Sequence, residues 1–206
     1  MLFEKRCAVC SSVGAVVCGS CEQRFRRVAA GRVARDHQGA ALSIRAAYEL
    51  EPSIRTLIAA FKYRRERRLS RWAASQLVAL VPRGADAIAW VPATPRRARQ
   101  RGFDQAGEMA HDLAAMTGVP SMRLVRRADS DRRQTEQARD ERQAGPALHA
   151  VQTKAAAGLV VLIDDVVTTG ASLGVASALL IESGVGRVVP TVLAATPLRS
   201  SWSERS

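Results

Sequence analysis

Residues 158–163 form an uninterrupted apolar run, Gly-Leu-Val-Val-Leu-Ile, that ends at two adjacent acidic residues. Such a continuous β-branched and aliphatic run is typical of a central parallel strand that is covered on both faces. A helical segment follows at 172–182, and then a second apolar strand at 187–195, in which Pro190 predicts a place near the edge of the sheet. Strand, helix and strand in this order predict right-handed crossovers in an open α/β sheet.

Upstream segments extend the same pattern. Apolar residues spaced three and four apart predict a helix over 52–63, and a second helix is predicted at about 67–80. An apolar run at 87–91, which is followed by two prolines, predicts a buried strand that leads into a loop. The next helix is predicted between Asp104, as its cap, and Gly118. With 206 residues and 47% hydrophobic content, the chain can bury one sizeable core plus a small appendage.

The acidic pair and the turn after it point to one ligand. Asp164 and Asp165 stand at the carboxyl end of a buried strand, where open α/β sheets bind ligands, and carboxylates accept hydrogen bonds from vicinal ribose hydroxyls. The turn that follows offers three hydroxyls, a glycine and the N–H groups of a helix start, which suit a dianionic phosphate. Its residues are Thr168, Thr169, Gly170, Ala171 and Ser172. Together these groups predict a ribose 5-phosphate site. The alternative is that the acidic pair only caps the helix, although capping needs just one acid.

All four cysteines lie near the N-terminus, in the spacing C-x2-C-x7-C-x2-C. They are Cys7, Cys10, Cys18 and Cys21. Two CxxC turns can aim four thiolates at one ion, which predicts a structural zinc site in a small knuckle or ribbon. With all four positions filled by protein, the zinc would serve folding rather than activate a water molecule. Two disulfides or metal-free thiols are the alternatives, and a reducing compartment disfavours the disulfides.

The chain carries 31 lysines and arginines against 19 acidic residues, a net charge of +12 that favours anionic partners. A basic run at 62–71 is either a solvated surface or a site for phosphate or nucleic acid. No stretch reaches the roughly 18 consecutive apolar residues of a membrane helix, and the first residues lack the apolar region of a signal peptide. We therefore expect a cytoplasmic chain without a membrane span.

Several motifs together resemble known families. Residues 161–172, Val-Leu-Ile-Asp-Asp-Val-Val-Thr-Thr-Gly-Ala-Ser, are similar to the phosphoribosyl pyrophosphate motif of type I phosphoribosyltransferases. Other segments resemble the ComF family of competence-associated, phosphoribosyltransferase-like proteins. They are Val91-Pro92 before an arginine-rich turn, Arg-Gly-Phe-Asp-Gln-Ala at 101–106, Phe-Lys-Tyr at 61–63 and the four-cysteine knuckle.

The resemblance implies a fold and a division of the chain. The fold is a type I phosphoribosyltransferase-like open, mainly parallel α/β sheet with flanking helices, over residues 41–198. Residues 1–40 would form the zinc knuckle and a connector, and 199–206 a disordered tail. Asp164 and Asp165 would hold the ribose hydroxyls at the catalytic centre, and the turn after them the 5-phosphate.

The resemblance also implies a pyrophosphate loop and a lid. The loop residues are Thr94, Arg96 and Arg97, although arginines at this place also fit a plain basic surface. The polar segment 126–142 matches a flexible lid, in which Gln134 and Arg142 fit the pattern of the family. The chain departs from the family at three positions. They are Asp104, where asparagine is usual, Gln137, where the lid has leucine, and Gly145, where it has asparagine.

Three functions stay open from the sequence. The first is a phosphoribosyltransferase, a glycosyltransferase of the pentosyl class, that binds phosphoribosyl pyrophosphate with magnesium and transfers ribose 5-phosphate to an unidentified acceptor. The second is a competence-type DNA-uptake protein that binds single-stranded DNA without catalysis, through the knuckle and the positive charge. The third senses the ribose phosphate ligand without turning it over. The wider fold family suggests a homodimer.

Overall fold

The structure is a computed structural model that describes residues 4–28, 32–35, 41–63, 68–127, 148–151 and 158–197. Several predictions lie outside the described residues. They concern the lid residues Gln134, Gln137, Arg142 and Gly145, the middle of the basic run, and the tail 199–206.

The described residues form helices and strands in alternation. The helices are α1 Gly19–Glu22, α2 Pro52–Tyr63, α3 Arg68–Leu77, α4 Pro95–Arg101, α5 Gln105–Thr117 and α6 Ala171–Glu182, with a 3-10 turn at Val78–Leu80. The strands are β1 Arg32–Arg35, β2 Ala41–Glu49, β3 Ala87–Trp90, β4 Val125–Arg127, β5 Leu148–Ala150, β6 Leu159–Val167 and β7 Arg187–Ala195. The helices and strands that the sequence pattern predicts are therefore confirmed, with small shifts of their ends.

The central sheet has the strand order β1-β2-β7-β6-β3. Four of its strands, β2, β7, β6 and β3, run parallel, and β1 pairs antiparallel with β2 at one edge. A separate two-stranded sheet joins β4 to β5. The predicted open, mainly parallel α/β sheet is confirmed. Because β3 and β6 are parallel neighbours, the segments that follow them emerge at the same end of the sheet.

The prediction that Pro190 places its strand near an edge is wrong. The strand that contains it, β7, lies at the centre of the sheet, between β2 and β6. Its pairing with β6 includes Pro190, opposite Leu162, but its pairing with β2 begins only at Thr191, opposite Arg45. The proline, which lacks an N–H, therefore stands where the strand has a single paired neighbour, the condition that an edge otherwise provides.

Outside the knuckle, five elements of the described residues lie where the sequence pattern predicts no helix or strand: β1, β2, α4, β4 and β5. β4 includes Arg126 and Arg127, the first two residues of the segment 126–142 that was predicted as a lid. β1 falls within the predicted connector, and β2 adds an interior strand to the sheet.

α4 occupies part of the segment that was predicted as the pyrophosphate loop. A helix forms there because the residues at its two ends, Thr94 and Gly102, cap it. The Thr94 Oγ1 atom accepts a hydrogen bond from the Arg97 N–H at 3.2 Å, and Gly102 ends the helix with a φ of 79°.

Buried side chains cover both faces of the sheet. Along β6, Val161 and Ile163 pack with α2, α3 and α5, whereas Val160 and Leu162 pack on the opposite face with α6. The cysteine knuckle belongs to the first of these layers through Phe25 and its neighbours. Among the described residues, no helix is both long enough and apolar enough to cross a bilayer.

Candidate functional site

A cavity of about 260 Å³ opens where the segments after β3 and β6 meet. Its walls come from the end of α2, the loop after β3, the α4–α5 connection, β4, and the end of β6 with the turn behind it. The polar residues that line it are Lys62, Arg97, Arg101, Asp104, Gln105, Arg127, Asp164, Asp165, Thr168 and Ser172. The structure thus brings the acidic pair, two residues of the predicted phosphate turn and one predicted pyrophosphate arginine to a single cavity.

The acidic pair lies where β6 extends beyond β3. The strands pair as far as Trp90 and Ile163, and Asp164 and Asp165 follow directly. The Asp165 N–H donates to Asp164 Oδ1 at 2.8 Å. Lys62 Nζ lies 2.6 Å from Asp165 Oδ2, and the two side chains are only 22% and 14% exposed.

Burial raises the pKa of Asp164 well above its ordinary value, and the charge of Asp165 adds to the rise. Asp164 therefore keeps its proton to a higher pH than an exposed aspartate does.

The predicted phosphate turn joins β6 to α6. Gly170 has a φ of 93°, in the left-handed region that favours glycine, and it immediately precedes the helix. The Thr169 Oγ1 atom accepts a hydrogen bond from the Ala171 N–H at 3.4 Å, whereas Thr168 and Ser172 line the cavity. The N–H groups of the first turn of α6 have no acceptor within the helix and lie beside these hydroxyls, so this end of the cavity can hold an anion.

Of the three residues that were predicted to form the pyrophosphate loop, one lines the cavity. Arg97 lines the cavity, Thr94 caps α4, and Arg96 is exposed on the same helix. A further cation comes from β4, because Arg127 Nε donates to the Pro92 carbonyl oxygen at 2.7 Å and its side chain reaches the cavity. Burial lowers the pKa of Arg127, and the nearby Asp164 opposes that effect. Two arginines from different elements thus face the same space.

The Arg-Gly-Phe-Asp-Gln-Ala motif turns from α4 into α5 and lines the cavity. Arg101 Nη1 donates to Gln105 Oε1 at 2.5 Å. Asp104 precedes α5 as predicted, but its side chain does not cap the helix. Its Oδ2 atom instead accepts a hydrogen bond from the Trp90 indole N–H at 3.1 Å. Burial raises the pKa of Asp104. A carboxyl group therefore stands beside the arginines where the ComF resemblance would place an amide.

A larger cavity, of about 630 Å³, adjoins the first one along α5. The two cavities share Pro92, Ala93, Asp104 and Arg127. His111 lines the larger one, and its Nδ1–H donates to the Gly107 carbonyl oxygen at 2.6 Å. Any ligand of the smaller cavity therefore has open space next to it, lined by both apolar and polar side chains.

The four cysteines come together in the knuckle. Their Sγ atoms all lie within 4.8 Å of one another, and those of Cys10 and Cys18 are 3.6 Å apart. Four sulfurs around one zinc, each at about 2.3 Å from it, are about 3.8 Å apart, so the cluster has the right size for a tetrahedral zinc site. Hydrogen bonding by Ser12 lowers the pKa of Cys10 to about 6, whereas burial raises that of Cys21 to about 12. All four are free thiols rather than disulfides.

Sequence reasoning assigned no individual role to four polar residues of the smaller cavity. They are Lys62, Arg101, Gln105 and Arg127. The first three stand inside the motifs that carry the ComF resemblance, so motif membership was an available signal for them. Arg127 had no signal beyond its place in the polar segment 126–142 that was predicted as a lid. Nothing in the local sequence predicts that these four side chains line the same cavity as Asp164 and Asp165.

One curated relative matches part of the chain. It is the competence protein ComFC of Bacillus subtilis (strain 168), 33% identical over 95 residues, which are 46% of this chain and 38% of that protein. The chain thus matches well under half the length of this relative. No family model matches the chain. The partial match confirms the predicted resemblance to ComF proteins over those 95 residues.

Similar solved structures include three phosphoribosyl enzymes. A glutamine phosphoribosylpyrophosphate amidotransferase from Bacillus subtilis is 21% identical, with a TM-score of 0.41 over 61% of this chain and 26% of its own. An adenine phosphoribosyltransferase is 15% identical, with a TM-score of 0.45 over 85% of this chain and 89% of its own. The orotate phosphoribosyltransferase of Aeropyrum pernix is 17% identical, with a TM-score of 0.39 over 79% of this chain and 85% of its own.

Proposed function

We propose that this protein binds phosphoribosyl pyrophosphate with magnesium and transfers its ribose 5-phosphate to an acceptor. The main support is the meeting of carboxylates, hydroxyls and cations in one cavity. Asp164 and Asp165 would accept hydrogen bonds from the ribose hydroxyls, and the turn with Thr168 and Ser172 would bind the 5-phosphate. Arg97 and the rest of the loop after β3 would face the pyrophosphate.

The transfer breaks the bond between ribose C1 and a pyrophosphate oxygen, and the electron pair leaves with the pyrophosphate. The acceptor forms the new bond to C1, and its proton passes to water. Because negative charge grows on the leaving oxygen, Arg97 and Arg127 would stabilise the transition state, while Asp164 and Asp165 fix the position of the ribose. When bound to the pyrophosphate, magnesium supplies further positive charge to the leaving group.

The first test is calorimetric titration of phosphoribosyl pyrophosphate with magnesium. We expect micromolar affinity in the zinc-loaded protein and a loss of at least about 100-fold when Asp164→Asn and Asp165→Asn are combined. Glu182→Gln is the control. Glu182 is exposed at the far end of α6, and this substitution removes a negative charge outside the cavity. Absence of binding by the folded wild type, or undiminished binding by the double variant, contradicts the proposal.

The second candidate function is binding of single-stranded DNA as part of the competence machinery. The partial match to a competence protein and the net charge of +12 support it. Arg68 and Arg71 are exposed on α3, within the predicted basic run. Changing both to glutamate should weaken single-strand binding at least tenfold and leave phosphoribosyl pyrophosphate binding unchanged. If both activities fall together, the picture of two separate sites is wrong.

The proposal also covers the setting of the protein. We propose a cytoplasmic homodimer, with residues 1–40 as a zinc knuckle and connector and 41–198 as the phosphoribosyltransferase-like domain. Sedimentation velocity tests the dimer, and zinc analysis of the purified protein tests the metal.

A further inference from the structure

Gln105 is buried, and among the described residues only the oxygen of its side-chain amide has a hydrogen-bond partner. The side chain is 2% exposed, and its Nε2 atom is buried without a hydrogen-bond partner among the described residues. Its Oε1 atom accepts a hydrogen bond from Arg101 Nη1 at 2.5 Å. A guanidinium group can only donate, so the amide oxygen must face Arg101 and the NH₂ group must point elsewhere. A buried donor without an acceptor destabilises the unliganded protein and calls for a partner.

The surroundings of Gln105 show what chemistry that partner needs. Gln105 lines the smaller cavity together with Arg97 and Arg127, whose side chains also only donate hydrogen bonds. Asp104, the preceding residue, has a buried Oδ1 atom that also lacks a hydrogen-bond partner among the described residues, so the two side chains do not satisfy each other. Several donors that converge on one space fit a group with several acceptor oxygens and negative charge.

We propose that Gln105 is a ligand-binding residue whose Nε2–H₂ donates to an oxygen of the pyrophosphate group. This rests on the proposed function and extends it, because it gives a role to the Arg-Gly-Phe-Asp-Gln-Ala motif. The pyrophosphate is the part of the ligand concerned, since Gln105 lies on the wall formed by α4, α5 and the loop after β3. Thr168 and Ser172, at the turn between β6 and α6, take the 5-phosphate.

Two ligands and three variants test this role. Gln105→Glu keeps the size of the side chain and an oxygen for Arg101, but replaces the donor by an acceptor. We expect it to weaken binding of phosphoribosyl pyrophosphate with magnesium by at least about tenfold, and to change binding of ribose 5-phosphate by less than about threefold. Gln105→Met, which removes the donor and adds no charge, should show the same selectivity. Gln100→Glu adds the same charge on the exposed side of α4 and should change neither affinity.

The possible outcomes distinguish a failure of the role of Gln105 from a failure of the proposed function. If either Gln105 variant binds phosphoribosyl pyrophosphate as the wild type does, or weakens both ligands equally, the role of Gln105 is overturned and the proposed function stands. If the wild type binds neither ligand, the proposed function fails, and this role fails with it. Urea unfolding of each variant establishes that it is folded, and Gln105→Met decides the question if Gln105→Glu does not fold.

Discussion

Asp164 has a raised pKa, so it links the candidate site to the stability of the protein. Burial and the charge of Asp165 make the folded protein hold the Asp164 proton more tightly than the unfolded chain does. Ionising Asp164 therefore destabilises the folded protein relative to the unfolded chain. The stability that protonated Asp164 contributes is fully present below its pKa in the unfolded chain, and it is lost as the pH rises towards its pKa in the folded protein. We expect Asp164→Asn to have a free energy of unfolding higher by about 1 kcal/mol or more at pH 7. The gain should shrink as the pH falls to 4, and urea unfolding of zinc-loaded protein at both pH values measures it. A gain that does not depend on pH would contradict the assignment.

Asp104 is the second residue whose charge works against its surroundings. Its Oδ1 atom is buried without a partner among the described residues, and burial raises its pKa. Asp104→Asn retains an oxygen for the Trp90 indole and removes a negative charge beside the proposed pyrophosphate group. We expect phosphoribosyl pyrophosphate to bind about tenfold more tightly to this variant, as calorimetry would show. Weaker binding would instead mean that the carboxylate itself serves the ligand.

Among the elements, the turn between β6 and α6 depends most on one backbone conformation. Gly170 has a φ of 93°, so the Cβ of an alanine would strain this turn by about 1–2 kcal/mol. We expect Gly170→Ala to lower both the stability and the affinity for ribose 5-phosphate, the latter by at least about tenfold, because Thr168 and Ser172 would shift. Gly118→Ala is the matched control, since Gly118 has a φ of 75° at the end of α5 and lies outside both cavities. Calorimetry should show normal affinity for the control at a similar loss of stability.

The elements also show how far the sequence pattern reaches. β6 and α2 were predictable because an apolar run and a three-four periodicity are read directly from consecutive residues. α4 was not, because its sequence, Pro-Arg-Arg-Ala-Arg-Gln-Arg, has no apolar face and depends on the caps Thr94 and Gly102. β2 was not predicted, because Ala46, Ala47 and Tyr48 are consecutive buried residues and the segment therefore lacks the apolar–polar alternation of a half-buried strand. The place of Pro190 depended on which neighbour each residue of β7 pairs with, and only the assembled sheet determines that.

At the scale of the whole molecule, the candidate site divides into a local and an assembled part. The acidic pair and the phosphate turn are close in sequence, so their meeting follows from one strand, one turn and one helix. Lys62 and Arg127 come from α2 and β4, and they reach the same cavity only because both elements pack around the end of the parallel sheet. The charges that balance Asp164 and Asp165 therefore belong to the tertiary fold, which no local pattern encodes.

The knuckle is joined to the rest of the molecule by aromatic packing. Phe25 makes edge-on contacts with Tyr48 and Trp72, with ring centroids 5.4 and 5.9 Å apart, and Tyr48 and Trp72 stack on each other at 6.1 Å. The Trp72 indole N–H also donates to Glu22 Oε2 at 3.3 Å. Since Tyr48 belongs to β2 and Trp72 to α3, a change in the knuckle reaches the central sheet directly.

Zinc removal should therefore destabilise the whole chain and not only its N-terminus. We expect one zinc per chain, and a melting temperature that falls by about 5 °C or more when a chelator removes it, because the buried knuckle residues lose the folded support for Phe25. Cys18→Ser should lose the metal and show the same shift, whereas Val13→Ser, at an exposed knuckle position, should retain both zinc and stability. Metal analysis together with calorimetric melting of the whole 206-residue chain measures this. An unchanged melting temperature after complete removal of zinc would mean that the aromatic contacts hold the knuckle in place without the metal.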